Sequence, residues 1–299
     1  MKFVYSPKYK VDIGAHVFPN EKYSLIFKRL KGEGFITDMN IFEPEMPKPE
    51  ELLKIITKEY FDDLLNLRLT MRTYPSEMPI KKDIIDSHML CCGGSYLAAK
   101  LALEFGAAYH IGGGFHHAFP DHAEGFCYLN DVVFAATKML GQGVSRISVI
   151  DCDLHQGNGT AKFFEHEERV FTFSIHEENL YPKKEKSDFD IGLDNGIGDE
   201  EYLQKLDFAL NKIFNEFKPE LVIYLAGADP YMFDQLGNLK LTFEGLQKRD
   251  EMVMQRAFAH KIPVTVVLGG GYAEDIDDTV EIHCNTARVL AEVEKQCKR

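Results

Sequence analysis

The segment V-I-D-C-D-L-H-Q-G-N-G-T (149–160) places Asp151, Asp153 and His155 at alternate positions directly after an apolar run. Taking a charge out of water costs several kcal/mol unless the charge is paired or bound to metal. Residues two apart in an extended segment point the same way, so Asp153 and His155 face together. Asp229, in A-G-A-D-P (226–230), follows a second apolar run, L-V-I-Y-L-A. Together they make an O/N/O ligand set that leaves positions for water and substrate, as a catalytic divalent ion requires. A lone D-x-H reads better as a hydrogen-bonded pair at a strand end. Asp151 on the same side, and Asp229 at the same edge, reverse that preference.

Two further clusters suggest chemistry beside a metal. His116 and His117 follow three glycines in G-G-G-F-H-H (112–117). Glycine lets the backbone approach a substrate closely, and histidine titrates near neutral pH, so the pair suits general acid–base work. A surface histidine pair in a glycine loop is the plainer reading. Asp151 and Asn158 are candidates to orient these imidazoles. Tyr272, after G-G-G (269–271), places a phenol where it could donate to an oxyanion. Neither glycine run has the G-x-G-x-x-G spacing with a later acidic residue that dinucleotide binding needs.

The elements that must carry these residues are legible from about residue 95 onward. Strands are expected at 107–111, 146–150, 170–175, 221–226 and 263–268, alternating with helices near 95–105, 129–140, 199–217, 243–260 and from 278. A short helix also falls between the strands at 146–150 and 170–175. The first 95 residues give a strand at 2–5 and helices near 21–32 and 48–66. Strands alternating with long helices imply right-handed crossovers and a parallel sheet covered on both faces. Each cluster above lies at the carboxyl end of an expected strand, so all of them share one sheet edge. That edge is where open α/β folds bind ligands. The stretches 42–50, 73–80 and 177–188 read as surface loops, and the 299 residues as a single domain, 1–299.

Composition narrows the function. A formal charge of −13 from 34 basic and 47 acidic residues argues against direct nucleic-acid binding. The six cysteines form no C-x-x-C pair, and the start lacks the apolar core of a signal peptide. No run approaches a membrane span. The expectation is a cytoplasmic protein with reduced thiols, with a nuclear location open for a eukaryotic source.

G-G-G-F-H-H-A, G-F-C-Y-L-N-D (125–131), D-C-D-L-H-Q-G-N-G-T, A-G-A-D-P and G-G-G-Y, in this order, resemble the zinc-dependent histone deacetylase family over nearly the whole chain. H-Q-G-N-G, the opening Y-S-P-x-Y and the stretch 226–251 are most similar to class IV and its bacterial relatives. The resemblance implies a three-layer αβα arginase/deacetylase fold around a central, mostly parallel eight-stranded sheet. It implies Zn²⁺, or Fe²⁺, on Asp153, His155 and Asp229, and a structural K⁺ near Asp151, Asp153 and Ser174. By the same resemblance His117 is general base and then acid, His116 its electrostatic partner oriented by Asp151, and Tyr272 the oxyanion donor. Asn158, the partner of His117, stands where class I enzymes carry Asp. Gly125, Phe126 and Tyr181 are implied walls of the channel for an acyl-lysine of a protein or peptide. Gln156 replaces a histidine of classes I and II, and residues 75–92 show no match to the class I rim aspartate. Leu236 stands where polyamine-specific relatives place an acidic gatekeeper, which favours lysine deacylation over deacetylation of acetylpolyamines. Oligomeric state is left open.

Overall fold

The structure, a computed structural model, describes residues 1–297. Its strands are β1 (Lys2–Val4), β2 (Ile41–Phe42), β3 (Ala107–His110), β4 (Ile147–Asp151), β5 (Val170–Glu177), β6 (Phe189–Leu193), β7 (Leu221–Leu225) and β8 (Val264–Val267). Its α-helices are α1 (Lys22–Gly32), α2 (Pro49–Leu52), α3 (Lys58–Leu65), α4 (Lys82–Phe105), α5 (Asp131–Leu140), α6 (Asn158–Phe164), α7 (Asp199–Lys212), α8 (Phe243–Ala259) and α9 (Ile276–Cys297). Among the described residues the strands form one sheet in the order β2-β1-β3-β8-β7-β4-β5-β6. Every pairing is parallel.

The burial pattern explains this order. β3, β4, β7 and β8 are buried at every position, as strands covered on both faces must be. α4 packs on β1, β3, β7 and β8 and joins α3 and α5 in one helical layer. α1, α7, α8 and α9 pack on one another in the second. Arg29 of α1 bridges Asp277 and Glu281 of α9, and Arg288 of α9 reaches back to Glu33. The edges are weak by comparison. β2 has only two half-buried residues, and β6 is mostly half-buried, which limits their use as templates for further pairing.

Four expectations need correction. The helix expected at 48–66 is two, α2 and α3, because Thr57 starts a new helix by capping Tyr60 N. The helix expected from Ser95 begins at Lys82 and runs unbroken through Gly93 and Gly94. A Cβ on Gly93 would meet the carbonyl oxygen of Glu45 at 2.0 Å, so glycine serves tight packing there. β2 and β6 are additional strands: one is too short to show a period, and F-D-I-G-L interrupts its apolar residues with Asp and Gly. The helix expected to reach 217 leaves α-helical geometry at Ile213 and continues as a wider turn to Phe217.

Between β3 and the histidine loop lies a buried polar chain. Tyr9 Oη meets His110 Nε2 at 2.7 Å, and His110 Nδ1 meets Ser95 Oγ at 2.9 Å. Ser95 Oγ donates in turn to Asp131, the first residue of α5. Asp131 also accepts from the backbone N–H of Gly114 (3.1 Å) and Phe115 (2.8 Å), which fixes the loop carrying His116 and His117. Substituting Asp131→Ala leaves both N–H groups buried without that acceptor. It should cost about 2–5 kcal/mol of folding stability, read as a fall in the urea midpoint, and Asp131→Asn should cost less.

Candidate metal centre and active site

Because the sheet is wholly parallel, all its strands end on one edge. The four strands that carry the chemical motifs, β3, β8, β7 and β4, are also neighbours at its centre. The histidine loop, the G-G-G-Y loop, Asp229 and the Asp151–His155 segment therefore meet. The two triple-glycine loops touch backbone to backbone, since a Cβ on Gly114 would lie 2.3 Å from Gly269 N. Only glycine allows that approach, at a φ of +87°.

Asp153, His155 and Asp229 are buried and present one ligand atom each, all within 4.8 Å of one another. His155 Nδ1 lies 3.4 Å from Asp153 Oδ1 and 3.2 Å from Asp229 Oδ2. Ligands about 2.0–2.1 Å from a tetrahedral ion are separated by roughly 3.3 Å, so the set has the spacing and donor types of a divalent site. Its electrostatics agree. Burial raises the Asp229 carboxyl, with Asp153 adding to the rise, while the His116 and His155 imidazoles hold Asp153 low against its own burial. Burial pulls the His155 imidazole down, but Asp153 and Asp229 outweigh it and push it to about 10. An anionic pocket that draws protons this strongly favours a cation.

Beside it stand the two other histidines, both buried. His116 Nδ1 is 2.7 Å from Asp151 Oδ2, and His117 Nδ1 is 2.8 Å from Asn158 Oδ1. Their Nε2 atoms face each other at 3.1 Å. The environments drive the pair apart. Burial lowers His116, yet Asp151 and Asp153 overcome it and raise the imidazole to about 9. Burial, His116 and His155 hold His117 well below its ordinary value, so it is neutral. Tyr272 is buried, and burial with Asp229 and Asp153 nearby keeps its hydroxyl protonated.

Of the four residues expected at the channel, Gly125 and Phe126 line a cavity beside this cluster. A narrow cavity of about 20 Å³ is lined by His117, Gly125, Phe126, Asp153, Gly270 and Tyr272, among others. The Phe126 and Tyr272 rings lie 5.9 Å apart, and the half-exposed Tyr181 ring is 5.7 Å from His117. Leu236 is not brought to this cavity; it packs half-buried against the core, and its N–H donates to Asp234. Ser174 is paired in register with Asp151, and its hydroxyl meets His176 Nδ1 at 2.9 Å. Gln156 is tied to the 177–188 segment, donating to Glu185 O (2.6 Å) and Asp190 Oδ1 (2.8 Å).

The sequence reading missed several supporting residues. Lys22 is buried and donates to Gly269 O at 2.7 Å, beneath the Tyr272 loop. Asp234 accepts from Tyr272 N at 2.7 Å. Arg249, wholly buried, donates to Cys152 O (3.2 Å) and Gly227 O (2.6 Å), in the segments that carry Asp153 and Asp229. Glu124 holds Asn158 Nδ2 at 3.0 Å. These residues lie far from the motifs in sequence, or beside them without a spacing of their own. The R-D pair at 249–250 and the glutamate before G-F-C were the available signals.

A histone deacetylase domain model matches residues 16–287. The chain is 37% identical over 294 residues to an uncharacterized protein of Picosynechococcus sp., covering 97% of this chain and 98% of that one. It is 32% identical to histone deacetylase 2 of Arabidopsis thaliana, covering 94% of this chain and 78% of the relative. A probable deacetylase of Archaeoglobus fulgidus is 30% identical, with 86% and 77% covered. The chain belongs to the histone deacetylase family, and its sheet and helical layers are those of the arginase/deacetylase fold.

Two predictions follow from the geometry. Purified protein should bind Zn²⁺ in a calorimetric titration, and Asp229→Ala should weaken that binding at least about 100-fold, since it removes one of three ligands. The second concerns Lys22, whose pKa burial lowers from 10.5 to about 8 despite the nearby Asp229 and Asp153. Between those two values the unfolded chain holds the proton and the folded chain does not. Folding stability therefore rises with pH through that window and is lost as pH falls through about 8. Wild type should gain stability over Lys22→Met between those pH values, by up to about 1.4 kcal/mol per pH unit in urea titrations.

Proposed function

We propose that the protein is a metal-dependent hydrolase of N-acyl-lysine side chains in proteins or peptides, acting as a single catalytic domain over 1–299. The observation that carries this reading is the placement of His117, backed by Asn158, and His116, backed by Asp151, beside the cluster of Asp153, His155 and Asp229. Asp153, His155 and Asp229 are the residues that hold the ion, which we take to be Zn²⁺ or Fe²⁺. Such an ion, when bound, polarises a carbonyl and lowers the pKa of water to near neutrality.

The chain's own residues then divide the proton work. His117 Nε2 removes the proton from the attacking water, and its low basicity suits it to return that proton to the lysine amine as the C–N bond breaks. His116, kept cationic by Asp151, supplies positive charge beside the developing oxyanion. Tyr272, protonated at neutral pH, donates a hydrogen bond to the same oxygen. Gly125, Phe126 and Tyr181 enclose the lysyl methylenes and exclude water. The substrate is read as lysine from the family resemblance and from the narrow apolar walls at Gly125 and Phe126, since Leu236 packs against the core and does not line the cavity. A K⁺ held near Asp151, Asp153 and Ser174 would brace β4 against β5. H-Q-G-N-G supports placement in the class IV branch, and the acidic charge supports a substrate other than nucleic acid. No helix among the described residues is long and apolar enough to cross a membrane.

Assays with acetyl-lysine peptides should show turnover that chelation abolishes and Zn²⁺ restores. Tyr272→Phe should lower kcat by about 10²–10³-fold with little change in KM, as loss of an oxyanion donor does. Faster turnover of acetylpolyamines than of acyl-lysine peptides, or activity that survives both chelation and Asp153→Ala, would overturn the assignment.

A further inference from the structure

A tight turn brings Glu124 to the side of the channel. Glu124 N donates to Cys127 O (3.1 Å) and Cys127 N to Glu124 O (2.9 Å), leaving Gly125 and Phe126 between them at φ of 48° and 64°. Two central residues at positive φ make a primed turn, which glycine adopts freely and an aromatic residue resists. The turn is held from outside by bonds from Gly125 N to Pro75 O (3.1 Å) and Phe126 N to Ser76 O (2.9 Å). Gly125 is needed for space too, since a Cβ there would meet His117 Cδ2 at 2.6 Å. The result is a fixed mount for the Glu124 carboxylate.

That carboxylate makes a short chain of contacts inward. Glu124 Oε1 accepts from Asn158 Nδ2 at 3.0 Å and from the Tyr181 hydroxyl at 3.2 Å. On its other side, Glu124 Oε2 lies 3.6 Å from His122 Nε2. Asn158 Oδ1 is 2.8 Å from His117 Nδ1. We propose that Glu124 is a positioning residue that fixes the tautomer of His117 through the amide of Asn158. The proposal rests on the reading of His117 as the residue that takes the proton from water.

The logic is one of donors and acceptors. An amide donates at one end and accepts at the other, and nothing in its shape says which end faces inward. A carboxylate only accepts, so the NH₂ of Asn158 must face Glu124 and its oxygen must face His117. That oxygen only accepts, so His117 carries its hydrogen on Nδ1 and keeps a lone pair on Nε2. With the amide reversed, NH₂ would face Nδ1, the hydrogen would move to Nε2, and His117 could not take a proton there. An aspartate in place of Asn158 would enforce the tautomer alone. An asparagine needs a further contact to choose its orientation: Glu124 supplies it on the amide side, and His116 Nε2, 3.1 Å from His117 Nε2, supports the same tautomer on the ring side when it carries its hydrogen. In serine proteases a comparable loss of tautomer control lowers kcat about 10⁴-fold with the geometry intact.

The test uses ¹⁵N-histidine-labelled full-length protein and NMR of the imidazole nitrogens. Wild type should show His117 as the Nδ1–H form. Glu124→Ala should shift His117 toward Nε2–H, and Glu124→Gln, which keeps an acceptor oxygen, should retain most of the wild-type signal. Tyr181→Phe removes the other partner of the same carboxylate oxygen and should leave the His117 tautomer unchanged. In acyl-lysine assays Glu124→Ala should lower kcat at least about tenfold with KM within about twofold, and Glu124→Gln should restore most of it. An unaltered His117 tautomer in Glu124→Ala, or a defect confined to KM, overturns the proposal. A wild-type protein that cleaves no acyl-lysine peptide would sink the substrate reading alone, because the tautomer measurement does not depend on turnover.

Discussion

The constraint on which this structure depends is the crowding of three carboxylates, Asp151, Asp153 and Asp229, into a buried volume at the ends of β4 and β7. Left alone they would repel one another and draw in water. The fold answers with cations and donors from several directions. His116 takes Asp151, and His155 stands between Asp153 and Asp229. Backbone N–H groups add to this, with Gly270 N donating to Asp153 Oδ2 at 2.7 Å and Leu154 N to Asp229 Oδ1 at 2.9 Å. From beneath, the buried Arg249 holds the carbonyls of Cys152 and Gly227 while pairing with Asp250. A site that costs this much to assemble holds together because rigid strands deliver its members, and an ion binding to it would stabilise it further.

The parallel sheet follows from the same need. Only a parallel sheet sends every strand end to one edge, and only buried central strands hold those ends at fixed spacing. The order places β3, β8, β7 and β4 side by side, although residues 107 and 267 are far apart along the chain. Lys22, donated by the first long helix to the carbonyl of Gly269, ties the amino-terminal region into this arrangement.

Much of this was legible in the sequence, for a physical reason. Central strands are apolar runs of four or five residues bounded by turn residues, and the chemistry lies where the runs stop, so D-C-D-L-H or G-G-G-Y marks both a boundary and a role. Asp153 and His155 could be named as candidate ligands because they stand two apart just past the end of β4, and Asp229 because it follows β7 at the same sheet edge. The weak elements were not legible. β2 has two residues and no period, and F-D-I-G-L of β6 is polar because an edge strand faces water on one side. The long α4 was read short because its amino-terminal half lies in the less patterned part of the chain. Glu124, Asp234 and Arg249 escaped because their partners come from distant segments, and one sequence carries no record of which distant residues touch. Leu236 shows the converse: a position named by resemblance packs against the core and does not line the cavity.

The contact between the two triple-glycine loops has a consequence for how this enzyme can change. Gly114 and Gly269 meet through backbone alone, so at that contact there is no side chain that substitution could lengthen, shorten or recharge. Variation around the cavity is left to the residues beside that contact, such as Phe126, and to the half-exposed Tyr181. The crossing of the two loops is in effect frozen hardware, which evolution or design can only build around.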